Sequence, residues 1–104
     1  MNKKLIDLLT VCRKAGRMVM GFDAAKEAVL DGKARSVLLA EDISPKTEKE
    51  IRFFADKNNI PTAKTGCTQN DLYIGIGKKI GVIAVCDDGF SKKALSIISD
   101  APEE

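Results

Sequence analysis

Lys14, Arg17, Lys26 and Lys33 recur at short intervals through a stretch broken by Gly16, Gly21 and Gly32. These are the residue types that hold an anion. The stretch reads as the end of one helix, a short basic connection, and the start of a second helix at Gly21. A glycine at that point lets backbone approach a ligand with no Cβ in the way. The first free N–H groups of the second helix, with the positive end of its dipole, form a seat for phosphate or another anion. All four cations are expected near that seat. Phe22 is available to stack on a base, although its spacing with Ala25 and Val29 favours burial in the core.

Two other constellations invite chemical readings. Gly75-Ile76-Gly77-Lys78-Lys79-Ile80-Gly81 looks like a nucleotide loop but fails both patterns. Its third glycine falls one residue late for the dinucleotide fingerprint, and it precedes an apolar strand-like run instead of following one. A P-loop needs glycine where Leu72 stands and Ser or Thr where Lys79 stands. The glycines are better read as a helix stop and a turn, which leaves Lys78 and Lys79 as exposed cations. Glu41-Asp42 and Asp87-Asp88 follow apolar runs, where catalytic or magnesium-binding carboxylates often sit in α/β folds. No nucleophile, base or phosphate loop accompanies them, so solvated turn residues are the better reading.

The chain has no histidine, which removes the commonest general base and the Ser-His and Cys-His pairs. Cys12, Cys67 and Cys86 show no Cys-x-x-Cys spacing and are expected as buried free thiols, Cys86 most strongly because it ends an apolar run. The sequence therefore implies no catalytic residues, no metal and no small-molecule cofactor.

At 104 residues, 44% apolar and 31% charged, the chain fits one soluble globular domain spanning 1–104. No apolar run reaches membrane-spanning length, and Asp7 interrupts the N-terminus too early for a signal peptide. A cytoplasmic monomer without membrane contact is expected. Net charge is only +2, but residues 1–35 carry eight Lys/Arg against four Asp/Glu, whereas 36–104 carry nine against eleven. This one-sided basic surplus fits a polyanion partner.

Elements that would position these groups follow from periodicity. Leu5, Ile6, Leu8, Leu9, Cys12 and Ala15 predict an amphipathic helix over 3–15. Arg17 to Met20 is a brief strand, and the Gly21 helix stops at Gly32. Ser36–Ala40 and Gly81–Cys86 lack apolar–polar alternation and read as strands covered on both faces. Ser44-Pro45 opens a helix ending near Asn58-Asn59, and Ile60–Lys64 is an edge strand because of Pro61. Thr68-Gln69-Asn70-Asp71 resembles a capping box. Asp87-Asp88-Gly89 is a turn before a helix from about Phe90, burying Ala94, Leu95 and Ile98, and Pro102-Glu103-Glu104 is a frayed end. Helices alternating with buried strands predict an α/β fold, a three-layer α/β/α sandwich.

With Gly21-Phe22-Asp23, the run Gly32 to Asp42, Leu72 to Lys78 and Asp88-Gly89-Phe90 in view, the chain resembles the L7Ae/L30e/S12e superfamily of ribosomal proteins, particularly its small bacterial ylxQ-type members. The resemblance covers about residues 3 to 98. It implies a mixed four-stranded sheet and a non-catalytic, ribosomal-type RNA-binding function in translation, often recognition of kink-turns. The RNA would meet Gly21 to Lys26 and Lys78 to Ile80, with Ile80 packing against an unstacked nucleotide. Kink-turn binders of the family resemble Gly-Thr-Asn-Glu-x-x-Lys at this helix start. Here Gly21 matches, whereas Phe22, Asp23, Ala24 and Glu27 replace Thr, Asn, Glu and Lys. The Asp23 carboxylate accepts hydrogen bonds where Asn also donates, and it suits a helix cap. The expected RNA-binding set is Lys14, Arg17, Gly21, Phe22, Asp23, Lys26, Lys33, Lys78, Lys79 and Ile80. A protein–protein adaptor on the same fold is the alternative.

Overall fold

The computed structural model describes residues 2–100. In chain order the elements are α1 (Lys3–Lys14), β1 (Met18–Met20), α2 (Phe22–Leu30), β2 (Ser36–Leu39), α3 (Pro45–Lys57), β3 (Thr62–Lys64), α4 (Gln69–Ile76), β4 (Val82–Val85) and α5 (Asp88–Asp100). The strands form one mixed sheet in the order β1-β4-β2-β3. β4 runs antiparallel to both β1 and β2, and β2 pairs in parallel with β3. The two central strands are those with unbroken apolar runs, because both their faces are covered. The edges are three residues each, which limits exposed pairing surface.

Alternate residues of the central strands feed two separate cores. Leu38, Ile83 and Val85 point to the layer of α1, α4 and α5, where they meet Leu5, Leu9, Leu72 and Ala94. Val37, Leu39, Val82 and Ala84 point the other way, to Ala25, Val29, Ile51 and Ala55 on α2 and α3. The three-layer sandwich predicted from sequence follows directly from this period-two division. Each buried Leu, Ile or Val contributes about 1.5–3 kcal/mol relative to exposure.

Helix starts are marked by side chains that accept otherwise orphaned N–H groups. Asn2 Oδ1 receives Leu5 N at 3.2 Å, and Ser44 Oγ receives Thr47 N at 3.1 Å with Pro45 in the first turn. Thr68 and Asp71 form the expected capping box, with both bonds at 3.0 Å. One boundary differs from the sequence reading. α5 begins at Asp88, because Asp87 Oδ2 accepts from Phe90 N at 2.9 Å and turns Asp87-Asp88-Gly89 into a cap and first turn. Ala94 is fully buried there, whereas Leu95 and Ile98 are half-buried. Cys86 is also corrected: Cys12 and Cys67 are buried, but Cys86, just past the end of β4, is only partly so. The Pro102–Glu104 end lies outside the described residues.

Candidate nucleic-acid interface

β1 and α2 are joined by Gly21 alone, which adopts φ 103° and ψ 156°. That region is populated essentially only by glycine. A Cβ placed there would meet nothing within 4 Å, so the requirement for glycine is conformational and not one of space. The sharp junction starts α2 at the end of the sheet. Ala25 N bonds Gly21 O, while the N–H groups of Phe22, Asp23 and Ala24 have no acceptor among the described residues. Asp23 does not cap the helix, contrary to the sequence reading; it is exposed in the first turn, and Gly21 is the residue at the cap position.

The second part of the site is the connection from α4 to β4. Gly77 ends α4 in the left-handed conformation, φ 94°, with its N–H donating to Tyr73 O at 2.8 Å. Arg13, from the last turn of α1, donates Nη1 to Ile76 O at 2.7 Å and so holds the same helix end. Lys78 and Lys79 follow, both exposed. Gly81 then passes close to Ile43, where a Cβ would come within 2.5 Å of Ile43 Cγ2. Antiparallel pairing of β1 with β4 places this connection beside the start of α2. Met20 faces Ile83, and Gly21 N donates to Val82 O at 2.8 Å.

The remaining expected residues separate. Arg17 O accepts from Cys86 N at 2.8 Å, which puts Arg17 at the far end of β1 from Gly21. Lys33 lies beyond the C-terminus of α2, a helix of nine residues and thus about 13 Å long. Lys33 and Arg35 are near enough to Cys86 to draw its thiol pKa down, against burial, which on balance raises it. Arg17 and Lys33 therefore do not share the Gly21 seat. Lys26 is half-buried, with Nζ 4.4 Å from the centre of the Phe54 ring, in a cation–π contact between α2 and α3. Phe22 is half-buried against the second core, and Lys14 is exposed on the last turn of α1. Ile80 is only 4% exposed and packs into the first core, so its side chain supports the loop from beneath instead of meeting a nucleotide.

The paired acids have structural partners. Glu41 Oε1 accepts from Gly66 N and Asp42 Oδ1 from Gln69 N, each at 2.9 Å. Asp88 pairs with Arg35 at 3.2 Å. Among the described residues no three His, Cys, Asp or Glu side chains are grouped to hold a metal ion. Three residues at this end were missed in the sequence. Arg13 appears there only as one of many helix cations. Gln69 lies against Gly81, and Tyr73 lies one turn further along α4. The signal for Tyr73 was its phase, since it falls off the buried Leu72/Ile76 stripe.

Fold and site together define a small α/β/α protein with an open helix start and a cationic loop at one end of its sheet. The chain belongs to the ribosomal protein L7Ae/L30e/S12e/Gadd45 family, whose profile matches residues 3–95. It is 31% identical to the large ribosomal subunit protein eL30 of Aeropyrum pernix, over 88% of this chain and 89% of that one. It is 32% identical to the RNA-binding protein YlxQ of Bacillus subtilis, over 88% and 91%. Among solved structures, a Bacillus halodurans protein of unknown function superposes with a TM-score of 0.87 at 30% identity, over 93% of this chain and 98% of that one.

Proposed function

We propose that this chain is a monomeric, non-catalytic RNA-binding domain of the ribosomal type, which needs no metal or cofactor. It holds structured RNA at the start of α2 and the Gly77–Gly81 loop. One observation carries the reading. Side chains accept N–H groups at the starts of α1, α3, α4 and α5, whereas α2 starts on a glycine with no such acceptor, at the end of the sheet where the loop bearing Lys78 and Lys79 enters β4. Three free N–H groups and the helix dipole attract phosphate, and two exposed lysine side chains supply charge from the adjoining loop. The RNA-binding and ribosomal names of the relatives support the same reading.

The finer proposal is a kink-turn or related bent RNA. Asp23 and Glu27 stand where the family's kink-turn binders carry a donor and a cation, so backbone N–H groups and Lys78/Lys79 take the larger share of contacts here. Binding is then strongly salt-dependent, because neutralised phosphates release counterions. The test is a titration of a kink-turn RNA and a plain duplex of equal length at two salt concentrations. Tighter binding to the kink-turn at both salts is expected. Equal binding that collapses with salt overturns the kink-turn preference and leaves general RNA binding. No binding to either at low salt overturns the RNA reading in favour of a protein–protein adaptor.

A further inference from the structure

We propose that Tyr73 is a base-stacking residue of this site. The inference rests on the RNA-binding reading above and adds a chemical class of contact to it.

Tyr73 is 54% exposed and its neighbour Ile74 66% exposed, on a helix whose other large side chains, Leu72 and Ile76, are buried. Large apolar groups left in solvent at the edge of a cationic surface have the composition of a stacking platform. The position of Tyr73 is tied to the loop twice. Its carbonyl accepts the N–H of Gly77, immediately before Lys78 and Lys79. Tyr73 follows Gln69 by four residues and so shares its helix face, and the Gln69 side-chain amide carbon and oxygen lie 3.7 Å from the Cβ position of Gly81. α4, which carries Tyr73, thus starts against Gly81 and ends at Gly77, the two ends of the loop that bears Lys78 and Lys79. Ile80, the apolar residue first expected to meet a nucleotide, is buried beneath that loop. Tyr73 provides the exposed apolar face that Ile80 does not. A base stacked on the phenol would have its phosphates within reach of lysine side chains, which pairs aromatic and electrostatic contacts as single-stranded nucleic-acid sites do.

The chain supplies its own reporter, since Tyr73 is its one tyrosine and it has no tryptophan. The experiment titrates the full chain with a hairpin RNA bearing a three-nucleotide internal bulge, and with its fully paired counterpart. Tyrosine emission is corrected for RNA absorbance, and binding is read independently from a label on the RNA. The bulged RNA is expected to quench the emission, and the paired RNA to do so less. Tyr73→Phe should bind within about two-fold of the parent, whereas Tyr73→Ala and Tyr73→Leu weaken binding roughly five- to 150-fold with an unchanged salt slope. Because the side chain is exposed and Ala and Leu are good helix formers, these variants keep the fold, which thermal melting checks. Binding of the bulged RNA with unquenched emission and full affinity in Tyr73→Ala overturns the stacking role and leaves the RNA-binding reading intact. A loss of affinity accompanied by a salt slope lower by about one makes Tyr73 part of a phosphate contact and also overturns it. Failure of the parent chain to bind either RNA removes both proposals.

Discussion

The two ends of the sheet both carry cations but differ in how their polar groups are partnered. At the Gly21 end, the N–H groups of α2 have no acceptor among the described residues, and Lys78 and Lys79 are exposed on a fixed loop. At the other end, Arg35 donates to Gly32 O at 3.0 Å and pairs with Asp88, while Asp87 caps α5. At one end Arg35 and the first turn of α5 are satisfied internally, and at the other the first N–H groups of α2 are left available. A count of basic residues cannot distinguish the two, because what matters is whether each charge and each N–H already has a partner.

The most severe test of this contrast uses the two glycines that flank α2. Both have positive φ, 103° at Gly21 and 75° at Gly32, and neither has a heavy atom within 4 Å of its Cβ position. Gly21→Ala forces a side chain into a region costing about 1–3 kcal/mol, and Gly32→Ala costs about 1–2 kcal/mol in the left-handed region. Urea denaturation should therefore show both variants destabilised. Only Gly21→Ala should also weaken RNA binding, since it moves the free N–H groups; equal RNA affinity in the two variants would sink the assignment of the site to the Gly21 end.

A second test addresses the quiet end through its buried thiol. Burial first, then Asp87 and Cys86, pushes the Cys12 pKa from 9.0 to about 11. The unfolded thiol ionises at lower pH than the folded one, so between about pH 9 and 11 the unfolded state holds fewer protons. Stability then falls as pH rises through that window, by up to about 2 kcal/mol, and is unaffected by this group below it. Cys12→Ala should remove the pH-dependent part, though it leaves a small cavity. A parent chain whose urea midpoint stays level from pH 9 to 11 would show that the thiol is solvated.

The cations themselves give a smaller, sharper difference. Replacing Lys78 and Lys79 together by Ala should lower the salt slope of RNA binding by about two and weaken affinity roughly ten-fold at low salt. Replacing Arg17 and Lys33 together should leave the slope nearly unchanged. The reverse result would place the RNA on the Arg17 end.

These outcomes separate what could be read in the sequence from what could not. The buried strands were legible because Val37-Leu38-Leu39 and Val82-Ile83-Ala84-Val85 have no polar face. Ser44-Pro45 and Thr68–Asp71 announced their helices through cap chemistry. The grouping of the cations was not legible, for a geometric reason. Arg17 and Gly21 are four residues apart, but a strand lies between them, and at about 3.3 Å per residue that is roughly 13 Å. Lys33 is separated by the length of a helix. Gly21 and Val82, where the loop carrying Lys78 and Lys79 enters β4, are far apart in sequence but brought together by the β1–β4 register, which no local pattern specifies. Asp87-Asp88-Gly89 misled because the same residues mark turns and helix caps.

The smallest expected effect concerns Arg13, which belongs to neither end by sequence but connects α1 to the loop. Its guanidinium donates to Ile76 O at 2.7 Å, satisfying a carbonyl that α4 leaves open where it stops. The residue is exposed, so the bond contributes about 0.5–1 kcal/mol to stability. Its larger consequence is for the loop, because Lys78 begins two residues after that carbonyl. Arg13→Gln should weaken RNA binding two- to three-fold with an unchanged salt slope. Hydrogen exchange at Gly77 to Lys79 should accelerate in the RNA-free protein, since the helix end frays without its clamp. A slope lower by about one, with unchanged exchange, would make Arg13 a direct phosphate contact and extend the open end of the sheet onto α1.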